Sequence, residues 1–158
     1  MTNEVYRIRP DVFAIDEPHP FEEVISYLIL GHSRALLFDT GLGVASIKDL
    51  VAQLTLLPVT VLNSHTHFDH TGGNFEFSEI LNEDIAYSRK NAQGQSKIYS
   101  RDALAPERIC GKLPSGVRAD SYAIVRGTSR ERFAMAIASI SADASSKSSS
   151  RPVTHLTL

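Results

Sequence analysis

Three of the chain's six histidines and one aspartate fall within six residues, His65-Thr66-His67-Phe68-Asp69-His70. Three imidazoles and a carboxylate with no cysteine nearby suit zinc, iron or manganese and exclude a soft thiolate site. In an extended chain, residues two apart point the same way, so His65 and His67 present their rings on one side. Asp69 and His70 follow where the chain must turn, and Gly72-Gly73 allow that turn. A single histidine near a strand end is ordinarily a hydrogen-bonded surface or core group. Four donors at alternating spacing, closed by a double glycine, call for a metal.

These donors need a rigid support, and the residues before them supply one. Val59-Thr60-Val61-Leu62, after Pro58, reads as a short buried strand, because β-branched and apolar residues follow one another without helical spacing. Upstream, Ala35-Leu36-Leu37-Phe38 reads as another strand, ending in Asp39-Thr40-Gly41-Leu42-Gly43. Asp39 has two readings: a turn aspartate bonded to its own backbone, or a carboxylate that orients a metal-bound histidine. Between the two strands, Ile47, Leu50, Val51 and Leu54 recur at helical spacing, which predicts a helix over Ala45 to Leu56.

His65-x-His67-x-Asp69-His70 resembles the signature of the metallo-β-lactamase superfamily of metal-dependent hydrolases, and the Asp-x-Gly at Asp39 matches a second landmark in the right order. The resemblance implies an α/β fold, an αββα sandwich of two similar halves with the metal site at one edge. Residues 1–124 would form a truncated domain of this kind, the first half plus the start of the second. Carried over, His65 and His67 hold one metal ion, Asp69 and His70 a second, and Asp39 supports them. The implied cofactor is zinc, one or two ions, with iron or manganese as alternatives. The implied chemistry is attack by a metal-bound hydroxide, oriented by Asp69, on an ester, thioester, amide or phosphoester of a small-molecule substrate. The family's later ligands have no counterpart here: there is no Gly-His-Thr segment, no late Gly-Asp and no final histidine. The chain therefore carries half a site, and its activity is expected to be weak or absent. The alternative is a non-catalytic metal-binding or interaction module.

Composition agrees with a single domain. The chain has 158 residues, 42% of them hydrophobic, enough for one core. A formal charge of −2 offers no basic surface for nucleic acid or an anionic membrane. No apolar run reaches the length of a membrane span. The N-terminus lacks a signal-peptide layout. Cys110 is the sole cysteine, so no intrachain disulfide forms and the cytoplasm is the expected compartment.

The other elements follow from pattern. Val5 to Arg9 and Val12 to Ile15 read as two strands of a meander, and Ile25 to Leu30 as a third. Gly31-His32-Ser33-Arg34 reads as a hairpin turn into the fourth. His19 and His32 read as solvated loop residues. Asn74 to Leu81 reads as a short helix, Ile85-Ala86-Tyr87 as a strand, Ser88 to Arg101 as a surface excursion and Pro106 to Pro114 as a helical turn closed by Gly111.

Residues 125–158 differ in character. Seven of the twelve residues from Ser139 to Ser150 are serine, and apolar periodicity is lost. This tail reads as disordered or non-native, with a small uncapped helix at Phe133 to Ala138 and an isolated His155. A shifted reading frame, each codon taking the last base of one residue and the first two of the next, has a different character. Met135-Ala136 must then give Gly, and the positions beside it permit Asp. Ser145 to Ser150, in TCN codons, become Leu, Val or Ile around a permitted Glu at Lys147. Ser150 through His155 permit Thr-Pro-Gly-His-Thr, which resembles the family's missing histidine segment. On this reading the frame was lost near Ile124 or Val125. Resequencing the locus decides it, and a confirmed written frame with no Gly-His-Thr codon run in the shifted one overturns it.

Overall fold

A computed structural model describes residues 3–17, 24–83, 85–94, 104–109, 113, 115–126 and 154–155. The first four strands, β1 (Glu4–Arg9), β2 (Val12–Asp16), β3 (Ile25–Leu30) and β4 (Ala35–Phe38), form the expected antiparallel meander. The β3–β4 hairpin closes through Gly31 N–H to the Arg34 carbonyl at 2.9 Å. Helix α1 (Ile47–Leu54) then carries the chain back, so that β5 (Val59–Leu62) pairs parallel to β4. A further short strand, β6 (Ile80–Leu81), pairs parallel to β5, and β7 (Thr154–His155) pairs antiparallel to β1. The sheet order is β6-β5-β4-β3-β2-β1-β7.

Strand alternation divides the apolar residues between two faces. Val5, Phe13, Ile15, Leu28, Ala35, Leu37, Val61 and Ile80 turn to the side where Ile47 and Val51 of α1 pack. Burying each large member of this set contributes about 1.5–3 kcal/mol. The opposite face carries a second cluster, Leu36, Leu62 and Leu81 with Ile29 and Phe38. Toward β1 and β3 it shows Tyr6, Ile8, Ile25 and Tyr27, all more than a third exposed. One sheet with helical cover on one face is half of an αββα sandwich. Among the described residues, no helix is long and apolar enough to cross a membrane.

Several elements differ from expectation. Helix α1 is shorter than Ala45–Leu56. Ser46 caps it by accepting the Asp49 N–H at 3.1 Å, and Thr55 is already extended. The stretch from Asn74 is not one helix but a 3-10 turn (Asn74–Glu76) followed by β6. Ile80 and Leu81 are both buried although adjacent, one in each of the two apolar clusters on opposite faces of the sheet. Ile85-Ala86-Tyr87 is not a strand. Ile85 is the extended residue before helix α3 (Ala86–Asn91), whose Asn91 and Ser88 face Thr66. Between Pro106 and Pro114 the described part is a 3-10 turn at Pro106–Arg108. Gly111, His19, Cys110 and the helix expected at 133–138 lie outside the described residues, as does most of 125–158.

Candidate metal centre

β4 and β5 run parallel, so their C-terminal ends lie side by side, and the Asp39 N–H donates to the Leu62 carbonyl at 3.0 Å. Asp39 has φ 61, a left-handed conformation that aspartate tolerates better than most residues. Its carboxylate is buried and reaches across to the other strand. Oδ1 accepts the Ser64 N–H at 2.8 Å, while Oδ2 accepts the Ser64 hydroxyl at 2.7 Å and His70 Nδ1 at 2.8 Å.

These bonds settle the imidazole tautomers. A carboxylate only accepts, so His70 Nδ1 carries a proton, and in the neutral ring Nε2 keeps its lone pair. The Ser64 hydroxyl has donated its hydrogen to Asp39, so at 2.9 Å it accepts from His65 Nδ1. His65 Nε2 is likewise left bare. Asp39 thus engages the Nδ1 side of two histidine rings, one directly and one through Ser64. The rings of His65 and His70 lie with centroids 4.0 Å apart.

The His70 main chain is also held. Its carbonyl accepts Thr40 N–H at 3.0 Å and Asn63 Nδ2 at 3.1 Å, while the Thr40 hydroxyl donates to Asn74 Oδ1 at 2.9 Å. Asn63 and Asn74 pair through a 2.8 Å bond, and both are buried with Thr40. On the other side, Asn91 Nδ2 donates to the Thr66 carbonyl at 2.7 Å, bracing the residue between His65 and His67. Tyr87 of α3 meets the His67 ring edge to face at 5.9 Å. Helix α2 (Phe68–Thr71) places Asp69 and His70 one after the other in its single turn.

Charge follows this geometry. The Asp39 hydrogen bond holds the His70 pKa above the ordinary imidazole value, against the effect of burial. His65 moves the other way: partial burial, then the neighbouring His70 and His67, lower its pKa. A lowered pKa keeps an imidazole neutral, the form that binds metal.

The donor spacings fit zinc. Zinc–nitrogen bonds of about 2.0–2.1 Å at tetrahedral angles put neighbouring donors about 3.3–3.4 Å apart. His65 Nε2 and His67 Nδ1 are 3.2 Å apart, and His70 Nε2 and Asp69 Oδ2 are 3.4 Å apart. The donors therefore stand as two close pairs, the first joined in the metal-free chain by a hydrogen bond from His67 Nδ1 to the bare His65 Nε2. Among the described residues, no three His, Cys, Asp or Glu side chains close on a single ion position. His155 sits in β7, at the far side of the sheet, five strand spacings or about 24 Å from β5. His32 lies in the turn at the opposite end of β4.

All five residues singled out from sequence, His65, His67, Asp69, His70 and Asp39, come together here. Sequence reasoning missed Ser64, Thr40, Asn63, Asn74 and Asn91. A polar pair, Asn63-Ser64, directly after an apolar strand was the one available signal for two of them.

The family model described as the metallo-beta-lactamase superfamily matches residues 20–119, more than half of the chain. The chain belongs to the metallo-β-lactamase superfamily. Among curated relatives, the acyl-coenzyme A thioesterase MBLAC2 of Gallus gallus is 35% identical over 63 residues, covering 34% of this chain and 23% of that protein. The lactamase-like protein ptaB of Pestalotiopsis fici is 30% identical over 106 residues, covering 61% of this chain and 34% of its own length. The chain thus spans about a quarter to a third of the length of these relatives. Among solved structures, a metallo-beta-lactamase from Pontibacter korlensis matches with TM-score 0.45 and 18% identity, over 52% of this chain and 44% of that one. A subclass B3 metallo-beta-lactamase from a soil metagenome library matches with TM-score 0.46 and 18% identity, over 84% and 47%.

One consequence for this superfamily member concerns pH. A raised folded-state His70 pKa means a stabilising contribution fully present below the unfolded value, about 6.5. That contribution is lost as pH rises through the folded value. In the metal-free chain, D39N is therefore expected to cost on the order of 1.5–3 kcal/mol at pH 5.5, and less at pH 8.5. Urea melts of parent and variant across that range check it. A pH-independent difference would mean that the Asp39–His70 bond carries no charge.

Proposed function

We propose that the chain carries the ligand loop of a metal-dependent hydrolase, with His65 and His67 holding one divalent ion and Asp69 and His70 a second. The observation that carries this reading is the pair of close donor spacings, together with tautomers preset by Asp39 and Ser64. Zinc suits the imidazole-rich donor set, and iron or manganese would accept it too. A divalent ion held by these residues would lower the pKa of water to about 7 and so would supply hydroxide at neutral pH. The protein's own part is to keep His65 and His70 in the metal-accepting tautomer and to hold their lone pairs in place before binding. Asp69 is partly exposed, and its carboxylate would accept a hydrogen bond from a water at the site and so orient it.

The substrate class is a small ester, thioester, amide or phosphoester. The relative named as an acyl-coenzyme A thioesterase makes a thioester the first substrate to try. A second reading, a metal-binding or interaction module without turnover, has its own support: the described donors stand in pairs, with no third on either ion position. Catalytic zinc ordinarily takes three protein ligands.

Zinc loading of the full chain followed by a thioester assay separates the two readings. The hydrolase reading expects slow, saturable turnover, lost about 100-fold or more in D69N. Zinc bound with no turnover above that of D69N leaves the module.

A further inference from the structure

Behind the histidine loop stands a carboxylate that the metal reading leaves unused. Glu17, just past the end of β2, is only 6% exposed. Its Oε2 accepts the Leu42 N–H at 2.6 Å and its Oε1 accepts the Val44 N–H at 3.0 Å. Burial raises its pKa, the backbone N–H bonds work against that rise, and the adjacent Asp16 adds to it. On the same loop, the Tyr122 hydroxyl donates to the Leu42 carbonyl. Glu17 and Tyr122 thus grip one short segment by its N–H groups and its carbonyl.

That segment turns twice through left-handed glycines, Gly41 (φ 62) and Gly43 (φ 70), a conformation that leaves its N–H groups without a secondary-structure partner. A buried carboxylate is a costly way to satisfy them, unless the loop's exact position matters. The loop's other side explains that cost. Gly43 lies backbone to backbone against Gly72 and Gly73, and the Gly72 N–H donates to the Gly41 carbonyl at 2.8 Å. One residue earlier, Thr40 N–H holds the His70 carbonyl. The loop is the wall against which the second half of the ligand motif is set.

We propose that Glu17 is a positioning residue for His70, acting through the Gly41–Val44 backbone to hold the His70 ring on Asp39. It is not a catalytic residue, since it touches neither the histidines nor Asp69. This inference rests on the site assignment above, and its test works with or without metal. Glutamine keeps the size of Glu17 but turns an NH2 toward one of the two N–H groups, so E17Q releases one end of the grip.

The experiment compares the full-length parent, E17Q and V51A at pH 7.5. V51A truncates the core under α1, away from the loop, and controls for stability lost without loss of position. Two readouts are taken: the nitrogen-15 NMR signature of the His70 imidazole in the metal-free chain, and zinc affinity by chelator competition. The expected result is a fixed Nδ1–H tautomer in the parent and V51A, averaged tautomers in E17Q, and zinc binding at least 10-fold weaker in E17Q alone. Unchanged tautomer and affinity in E17Q, or equal losses in V51A, would overturn the proposal. If E17Q does not fold, E17D keeps the charge, shortens the reach by one methylene and is judged by the same readouts. A parent that binds no zinc would sink the metal assignment, and the tautomer comparison would still decide the role of Glu17.

Discussion

Replacing both His65 and His67 with alanine is expected to abolish zinc binding at their ion position, leaving the chain only the Asp69–His70 pair. These two rings provide the closest donor pair in the site, 3.2 Å apart, and no further donor among the described residues completes an ion position beside them. With so few ligands the parent affinity is itself modest, so there is little reserve. Loss of an outer hydrogen-bond partner alone typically weakens a metal site 10–100-fold, and losing two ligands must exceed that. Competition against a chromophoric chelator measures the effect directly. Melting provides a second reading, because a ligand that binds only the folded state at 100 times its Kd adds about 2.7 kcal/mol. Zinc should therefore raise the melting temperature of the parent clearly more than that of the double variant. H32A, at the opposite end of β4, is the control and should retain parental affinity. A double variant that holds as much zinc as the parent refutes the assignment.

The second large effect is expected from a single methyl group at Gly72. Its backbone angles, φ −60 and ψ −38, are ordinary helical values that alanine adopts without strain. The obstacle is wholly one of space, since a Cβ there would overlap the Leu42 carbonyl group and crowd Gly43 N. Both neighbours are backbone, and the Leu42 peptide is held from behind by Glu17 and Tyr122. Overpacking with no flexible side chain to yield costs about 3 kcal/mol or more. Against a total stability of about 5–15 kcal/mol for a domain, G72A should melt far below the parent. G116A makes the comparison sharp. Gly116 has φ 92, and a methyl added there would meet nothing within 4 Å, so alanine incurs only local backbone strain, about 1–2 kcal/mol. Similar melting temperatures for the two variants would show that the loop and the ligand motif are not packed as tightly as described.

The chain's own order of residues determined the donor set. His65, His67, Asp69 and His70 are near neighbours in sequence, so their proximity needed no long-range contact, although β5 ends at Leu62 and His65 lies in the bend that follows rather than in extended strand. The same local logic placed the four-strand meander, the helix between β4 and β5, and the buried strand before the motif. Each has a period that burial on one or two faces imposes on sequence. Tertiary structure decided everything that depends on β4 meeting β5. Asp39 bonds to Ser64 and His70 across separations of 25 and 31 residues, and only the parallel register brings those strand ends together. The ambiguity at Asp39, turn residue or histidine support, was resolved by that contact. The same is true of Glu17, whose carboxylate reaches backbone 25 and 27 residues away, and of Gly72, whose role is a close approach invisible in a linear pattern. Local pattern misread Ile80-Leu81 and Ala86–Asn91 for a related reason. In the first, pairing with β5 overrode a helical spacing. In the second, the hydrogen bond from Asn91 to Thr66 anchors a helix that three apolar-leaning residues had disguised as a strand.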